Sequence, residues 1–197
     1  MIAAFFRHGS NALLFAAIVA LAAAFASRLL AFNVWATVFG ALIFFVSEYG
    51  THRLLFHAPP SGHPALQRLQ HRIHYDHHVD PGRLDLLFLP PWFVIPVSAL
   101  YAGIYIAVTH SAATSAALML GNLAAMLYYE WVHYVAHIPY VPITPFGRWM
   151  KKYHLLHHYL NERLWFGVTN PVLDVASRTY MRASDAERST RTRVLYP

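Results

Sequence analysis

The sequence predicts an all-α integral membrane fold, with about four transmembrane helices carrying a helical cap rich in histidine. Three observations predict it. Hydrophobic residues make up 57% of the chain and charged residues only 12%, about half the charged share of an ordinary soluble domain. The apolar residues fall in long runs, more than a compact water-soluble core would absorb. Of the 14 histidines among 197 residues, all but His8 lie between and after those runs. By length the chain reads as one membrane-embedded domain, 1–197.

A spanning helix needs about 20 mostly apolar residues. The first run that qualifies is 11–27, from Asn11 to Ser27, closed by Arg28. The second is 29–48, from Leu29 through Phe45 to Glu48. The third is 88–108, within an apolar stretch that opens at Leu86 and carries Pro90, Pro91 and Pro96. Because adjacent prolines start helices and do not continue them, its regular part is expected from Trp92. The fourth is 112–131, from Ala112 to Trp131, with His110, Ser111 and Thr114 in the tight turn before it. The segments 49–85 and 138–184 then form the cap.

Orientation follows from the cations. With four spans, the N-terminus, the segment 49–85 and the tail from 138 share one side of the membrane. That side holds every Lys and Arg except Arg28, so the positive-inside rule makes the cap and both termini cytoplasmic. The net charge of +6 is accordingly read as a membrane-surface feature and not as a nucleic-acid footprint. Arg7, the apolar run and Ala24-Phe25-Ala26 together mimic a cleaved secretory signal. A second apolar run follows at once, however, which reads as a retained hairpin. The tail after Ser184 is polar and reads as disordered or membrane-hugging.

The histidines carry the chemistry. The chain has no Cys, so disulfide frameworks and thiolate metal sites are excluded. Ten histidines form four groups: His52 and His57; His74, His77 and His78; His133 and His137; His154, His157 and His158. On a helix, positions i, i+3 and i+4 lie within about 100° of arc. HYDHH and HLLHH can therefore each aim three imidazoles at one point, while His133 and His137 stack one turn apart. His52 and His57, at i and i+5, would diverge by about 140° on a regular helix. The helix is expected to end or distort near Phe56, before Pro59 and Pro60. Ten nitrogens suit two metal ions with about five each, leaving open positions. His71 reads equally as a ligand or as a partner of one. His8, His63 and His110 read as interfacial.

Carboxylates stand at helical offsets from these histidines. Glu48 is four before His52, Glu130 three before His133, Glu162 four after His158, and Asp76 lies inside HYDHH. Metal-binding histidines commonly donate their other N–H to such groups. Glu48, Glu130 and Asp76 are the expected partners, the first two because an unpaired charge is costly in an apolar helix.

These stretches resemble the fatty acid hydroxylase/sterol desaturase superfamily, and within it most of all the fatty acid 2-hydroxylases. The matching words are EYGTHRLLFH (48–57), HRIHYDHHVDP (71–81), LPPWFVIP (89–96), YEWVHYVAH (129–137) and KKYHLLHHYLNERLWFGVTNP (151–171). Spaced histidines define only the superfamily, whereas KKYHLLHHY and FGVTNP point to the 2-hydroxylase branch. The resemblance implies a cytoplasmic dimetal centre held by the ten grouped histidines, and oxygen-dependent hydroxylation next to an acyl carbonyl. Oxygen activation selects iron, while zinc suits the same nitrogens and can occupy them in purified material. The sequence carries no haem-binding electron-donor stretch, so the resemblance implies a separate electron-donor protein. Position 130 is Glu where the family tends to have Asp.

The expected substrate is a fatty-acyl lipid whose polar head comes from the cytoplasm and whose chain comes from the bilayer. Trp149, Trp165 and Phe166 are candidates to line that entrance. A sterol or carotenoid oxidase or desaturase of the same superfamily is the nearest alternative, although carotenoid hydroxylases usually space their third histidine pair one residue wider than His133–His137. A metal transporter would need ligands at the bilayer midplane. A di-haem cytochrome would need single histidines at matched depths, which His77-His78 and His157-His158 do not offer.

Overall fold

The computed structural model describes residues 1–196. All regular structure among them is helical. The helices are α1 (Ile2–Arg7), α2 (Gly9–Ala26), α3 (Val34–Thr51), α4 (Pro64–Gln70), α5 (Asp76–Val79), α6 (Leu84–Leu87), α7 (Pro91–Thr109), α8 (Ala112–His137), α9 (Pro145–Tyr159) and α10 (Val172–Ala176). Two π-helical turns, His52–Phe56 and His71–Tyr75, continue α3 and α4. Four stretches are long and apolar enough to cross a membrane: Gly9–Ala26, Val34–Phe56, Leu84–Thr109 and Ala112–His137. The chain is an integral membrane protein with four such helices.

Local chemistry sets the helix ends. Pro91 opens α7 as its first residue, where a missing N–H costs nothing. His110 closes α7 in the left-handed region, at φ 51°. The second helix starts five residues later than hydropathy suggests. Arg28 takes a positive φ of 62°, and the Asn33 side chain accepts the Ala36 N–H at 3.0 Å, the role that makes Asn a good helix start. The second and fourth helices also run past the expected ends at Glu48 and Trp131, to Phe56 and His137. No proline stands between Glu48 and Pro59 or between Trp131 and Pro139, and Gly50 is carried inside α3.

The chain divides into two compact units, with boundaries inside α3 and α8. The first comprises Met1–Phe45 and Leu89–Glu130. Here α3 and α8 meet backbone to backbone. A Cβ at Gly40 would lie 2.0 Å from the Leu118 carbonyl oxygen, and one at Gly121 would lie 1.8 Å from that of Thr37. Only glycine permits this approach, which is how spanning helices gain packing contacts without a hydrophobic driving force. Polar side chains in this unit pair with one another: Asn122 donates to the Tyr105 hydroxyl at 3.0 Å, and Thr109 and Ser115 share a 2.8 Å bond. Among the spanning stretches, Ala112–His137 is half buried by protein while Leu84–Thr109 is mostly exposed, so α7 presents most of its surface to lipid.

The second unit comprises Val46–Phe88 and the chain from Trp131 onward. It contains all ten grouped histidines. Its apolar core is built on Met150, Tyr153 and Trp165, with Val132, Leu156 and Leu160 packed against them. Trp165 is 1% exposed and belongs to this core, and one side of it borders a cavity that Trp149, Tyr153 and Tyr180 also line. Residues 185–196, in the stretch read from sequence as disordered or membrane-hugging, are hydrogen-bonded to the cap. The Ser189 N–H donates to the Leu160 carbonyl at 2.8 Å, and Arg188 donates to that of Tyr159 at 3.1 Å. These bonds satisfy the carbonyls that the end of α9 leaves open.

Candidate metal centre

The structure gathers the ten histidines into two groups of five. His52, His57, His74, His78 and His157 form one; His77, His133, His137, His154 and His158 form the other. Within each group one ring nitrogen from every residue lies within 4.8 Å of the rest. HYDHH and HLLHH therefore do not each aim at one point, as the spacing suggested; each divides between the groups. The reason is angular. Relative to position i, i+4 is rotated about 40° one way and i+3 about 60° the other. His154 and His158 stay together while His157 turns to the first group, and His74 and His78 stay together while His77 turns to the second.

The first π-helical turn resolves the i, i+5 pair. The His57 N–H bonds the His52 carbonyl at 3.1 Å, the i to i+5 bond that defines this turn and sets residue 57 over residue 52. The two imidazole centroids lie 5.1 Å apart. The predicted distortion at Phe56 is thus the device that makes a pair of ligand candidates from residues that a regular helix would separate. Phe56 itself stacks on His74.

The contacting nitrogens are closely spaced. Nε2 of His57 is 2.9 Å from Nε2 of His74 and 3.0 Å from that of His157. In the other group, His77 and His133 meet at 3.0 Å and His137 and His154 at 2.9 Å. Nitrogens at right angles about one centre, each about 2.1 Å from it, lie about 3.0 Å apart. The close pairs are thus spaced as nitrogens that share an ion would be, and each group could hold a metal ion.

Proton positions favour a cation as well. Nδ1 of His52, His78 and His157 lies 2.5, 2.9 and 2.8 Å from the carbonyl oxygens of Phe166, Thr192 and Leu164. A carbonyl only accepts, so each Nδ1 carries the proton, and Nε2 presents a lone pair to the group's centre. Nε2 of His52 and His78 has no hydrogen-bond partner, nor has either nitrogen of His158. Burial holds the imidazoles neutral: His74, His77, His154, His157 and His158 are pushed well below the usual histidine range, with neighbouring histidines adding to the effect. His57 moves the same way, and His78 is pushed down to about 3. Such a set of inward lone pairs, buried and neutral, suits transition-metal ligation.

The carboxylates act differently from expectation. Glu48 does not bond His52; it accepts the Val168 N–H at 2.7 Å and the Thr169 hydroxyl. It holds the loop whose Phe166 carbonyl orients His52. Glu130 accepts the Leu89 N–H at 3.3 Å. Asp76, expected to orient a clustered histidine, pairs instead with exposed His71 at 2.9 Å, and neither joins the groups.

Two positioning residues were not recognised from sequence. Asp174 is fully buried and accepts from the N–H groups of Phe166 and Gly167, both at 2.8 Å, and from the Tyr153 and Thr179 hydroxyls, both at 2.7 Å. A Cβ at Gly167 would meet the Asp174 carboxylate at 2.9 Å and the Asn170 carbonyl at 2.1 Å, so glycine is needed there. Lys151 donates to the Val135, Ile138 and Tyr140 carbonyls at 3.0, 2.6 and 3.0 Å. It closes the end of α8 beside His137 and ties it to the helix carrying His154. The spacing of FGVTNP to a following Asp, and of a Lys three before HLLHH, were the available signals.

Residues 37–179 match the model of the fatty acid hydroxylase family. The chain belongs to that family. It is 33% identical over 147 residues to the ceramide very long chain fatty acid hydroxylase SCS7 of Saccharomyces cerevisiae, covering 72% of this chain and 37% of that protein. It is 31% identical to the fatty acid 2-hydroxylase of Rattus norvegicus, covering 70% and 37%, and 32% identical to the dihydroceramide fatty acyl 2-hydroxylase FAH2 of Arabidopsis thaliana, covering 69% and 56%. The chain spans little more than a third of the length of the first two. Its fold is similar to the visible hydroxylase domain of full-length Scs7p, with a TM-score of 0.77 at 29% identity over 91% of this chain and 67% of that one.

Proposed function

We propose that this chain is an oxygen-dependent hydroxylase of lipid acyl chains, acting next to the acyl carbonyl through two iron ions, each held by one group of five histidines. The observation that carries the reading is the pairing of two five-nitrogen groups, each with four of its five histidines buried, within a membrane chain of the fatty acid hydroxylase family. The acyl relatives support a fatty-acyl lipid as substrate. Zinc fits the same nitrogens but has no redox chemistry.

When bound, the ions would supply the activation of molecular oxygen that an inert C–H bond requires. The chain's own residues do the rest. Carbonyls of Phe166, Thr192 and Leu164 hold three imidazoles with Nε2 inward. The rings of Phe56 and Phe166 cover the first group with apolar surface, which keeps water from a reactive centre. Electrons come from a separate donor protein. The cytoplasmic orientation of the histidines and both termini rests on the clustering of cations on one side of the four spans.

Mass spectrometry of lipids from cells with and without the gene tests this reading. The expected result is a gain of one oxygen on acyl chains. Loss of two hydrogens would make the chain a desaturase, and unchanged lipids would remove the reading.

A further inference from the structure

A cavity of about 330 Å³ borders the first histidine group, with His57 in its wall. Three arginines also line it, Arg53, Arg163 and Arg191, together with the Phe166 ring and Tyr196. The only carboxylate in the lining is Glu162, and it is turned into the wall. Its Oε2 is inaccessible, and its Oε1 lies 3.7 Å from Nε of Arg163. Arg53 and Arg191 have no carboxylate within salt-bridge distance among the described residues. Arg53 is positioned all the same. Its guanidinium lies 5.9 Å from the centres of the Tyr49 and Phe166 rings and donates to the Tyr49 hydroxyl at 3.0 Å. Tyr196 is anchored by its hydroxyl to the His57 carbonyl at 2.8 Å, which fixes the far wall.

We propose that this cavity binds the free carboxylate of an acyl substrate through Arg53 and Arg191. The inference rests on the hydroxylase reading and narrows its substrate class. The carbon next to the carbonyl lies two bonds from the carboxyl oxygens, so a carboxylate bound in this cavity holds that carbon close to His57 of the first histidine group. Guanidinium is the side chain that suits paired oxyanion recognition, and two guanidiniums without acidic partners leave charge for a ligand to meet. The concave shape favours a small head group over a protein face.

The test uses the metal-loaded full chain in detergent micelles, with palmitate and palmitamide as probes of equal chain length and different charge. Wild type is expected to bind palmitate about tenfold or more tighter than palmitamide, with the preference shrinking as salt rises. In Arg53→Gln/Arg191→Gln the preference disappears while palmitamide affinity, helicity and metal content stay unchanged. Arg191→Gln alone, at an exposed position, gives a partial loss and guards against misfolding of the double variant. Palmitoyl lysophosphatidate binding more tightly than palmitate, with inorganic phosphate competing, overturns the inference in favour of a phosphate head. Equal binding of palmitate and palmitamide by wild type overturns the inference, as does an intact preference in the double variant. So does a double variant that slows reduction by an acidic electron-donor protein and leaves lipid binding untouched. Product formation is measured separately: hydroxylation of palmitamide without any charge preference would sink the anion pocket and leave the hydroxylase standing.

Discussion

The two histidine groups have the same count and are held in place in different ways. In the first, His52, His78 and His157 hand their Nδ1 protons to carbonyls of segments outside the histidine-bearing helices, at Phe166, Thr192 and Leu164. In the second, Nδ1 of His77, His154 and His158 has no hydrogen-bond partner. Ring packing, such as His77 against His133 and His158 at 4.8 and 4.7 Å, and the Lys151 clamp keep that group together. One group depends on loops, the other on helix ends. Changes in loops should therefore disturb the first group and spare the second.

The largest effects come from the imidazoles themselves. His157→Ala and His77→Ala each abolish product, and each leaves membrane insertion intact. Metal analysis of the purified variants sharpens the contrast: each is expected to lose about one ion per chain, one from each group. Loss of both ions in His157→Ala would show that the groups bind as a unit, and full activity would remove His157 from the site.

Next comes Asp174→Asn. The change replaces one acceptor oxygen by a donor where four donors converge. A buried network broken this way costs roughly 2–4 kcal/mol. Thermal unfolding in micelles should show the loss, and the first group should lose metal affinity while the second retains it. Equal loss at both groups would break the distinction between them.

Lys151→Met probes the other side. It keeps the aliphatic stem and removes the ammonium that closes α8. Supporting residues of this kind typically change metal affinity by about 10- to 100-fold; because Lys151 is partly exposed, about tenfold is expected, confined to the group containing His137 and His154. Competition with a chelator at fixed free metal would read it. A loss at the first group instead would contradict the division.

The sequence was readable where side chains carry the information. Four apolar runs stood out because a bilayer demands length and hydropathy of each helix independently. The misfit of His52 and His57 to a regular helix foretold the distortion that the π-helical turn supplies. What could not be read are the carbonyl partners of His52, His78 and His157, since every residue has a carbonyl and none marks itself in sequence. For the same reason Glu48 seemed a direct partner of His52, when it holds the loop that supplies one. The division of HYDHH and HLLHH was hidden too, because 100° of arc serves one focus or two, and only the placement of neighbouring helices decides.

The smallest expected effect tests that argument most closely. Thr192 faces the first group with its backbone, the carbonyl accepting from His78 at 2.9 Å. Thr192→Ala keeps that carbonyl and, at a buried position, should cost about 1 kcal/mol of stability, with metal affinity at both groups unchanged. Deleting the chain from Thr192 onward removes the carbonyl, the Arg193 bonds to Val79 and the Tyr196 bond to His57. It should weaken metal binding at the first group about tenfold and leave the second alone. If the point substitution matched the deletion, orientation would belong to the threonine side chain, and a conserved hydroxyl would be the feature to seek. If neither had an effect, His78 would be held by its ring neighbours, His57, His74 and His158, and the first group would be as self-contained as the second.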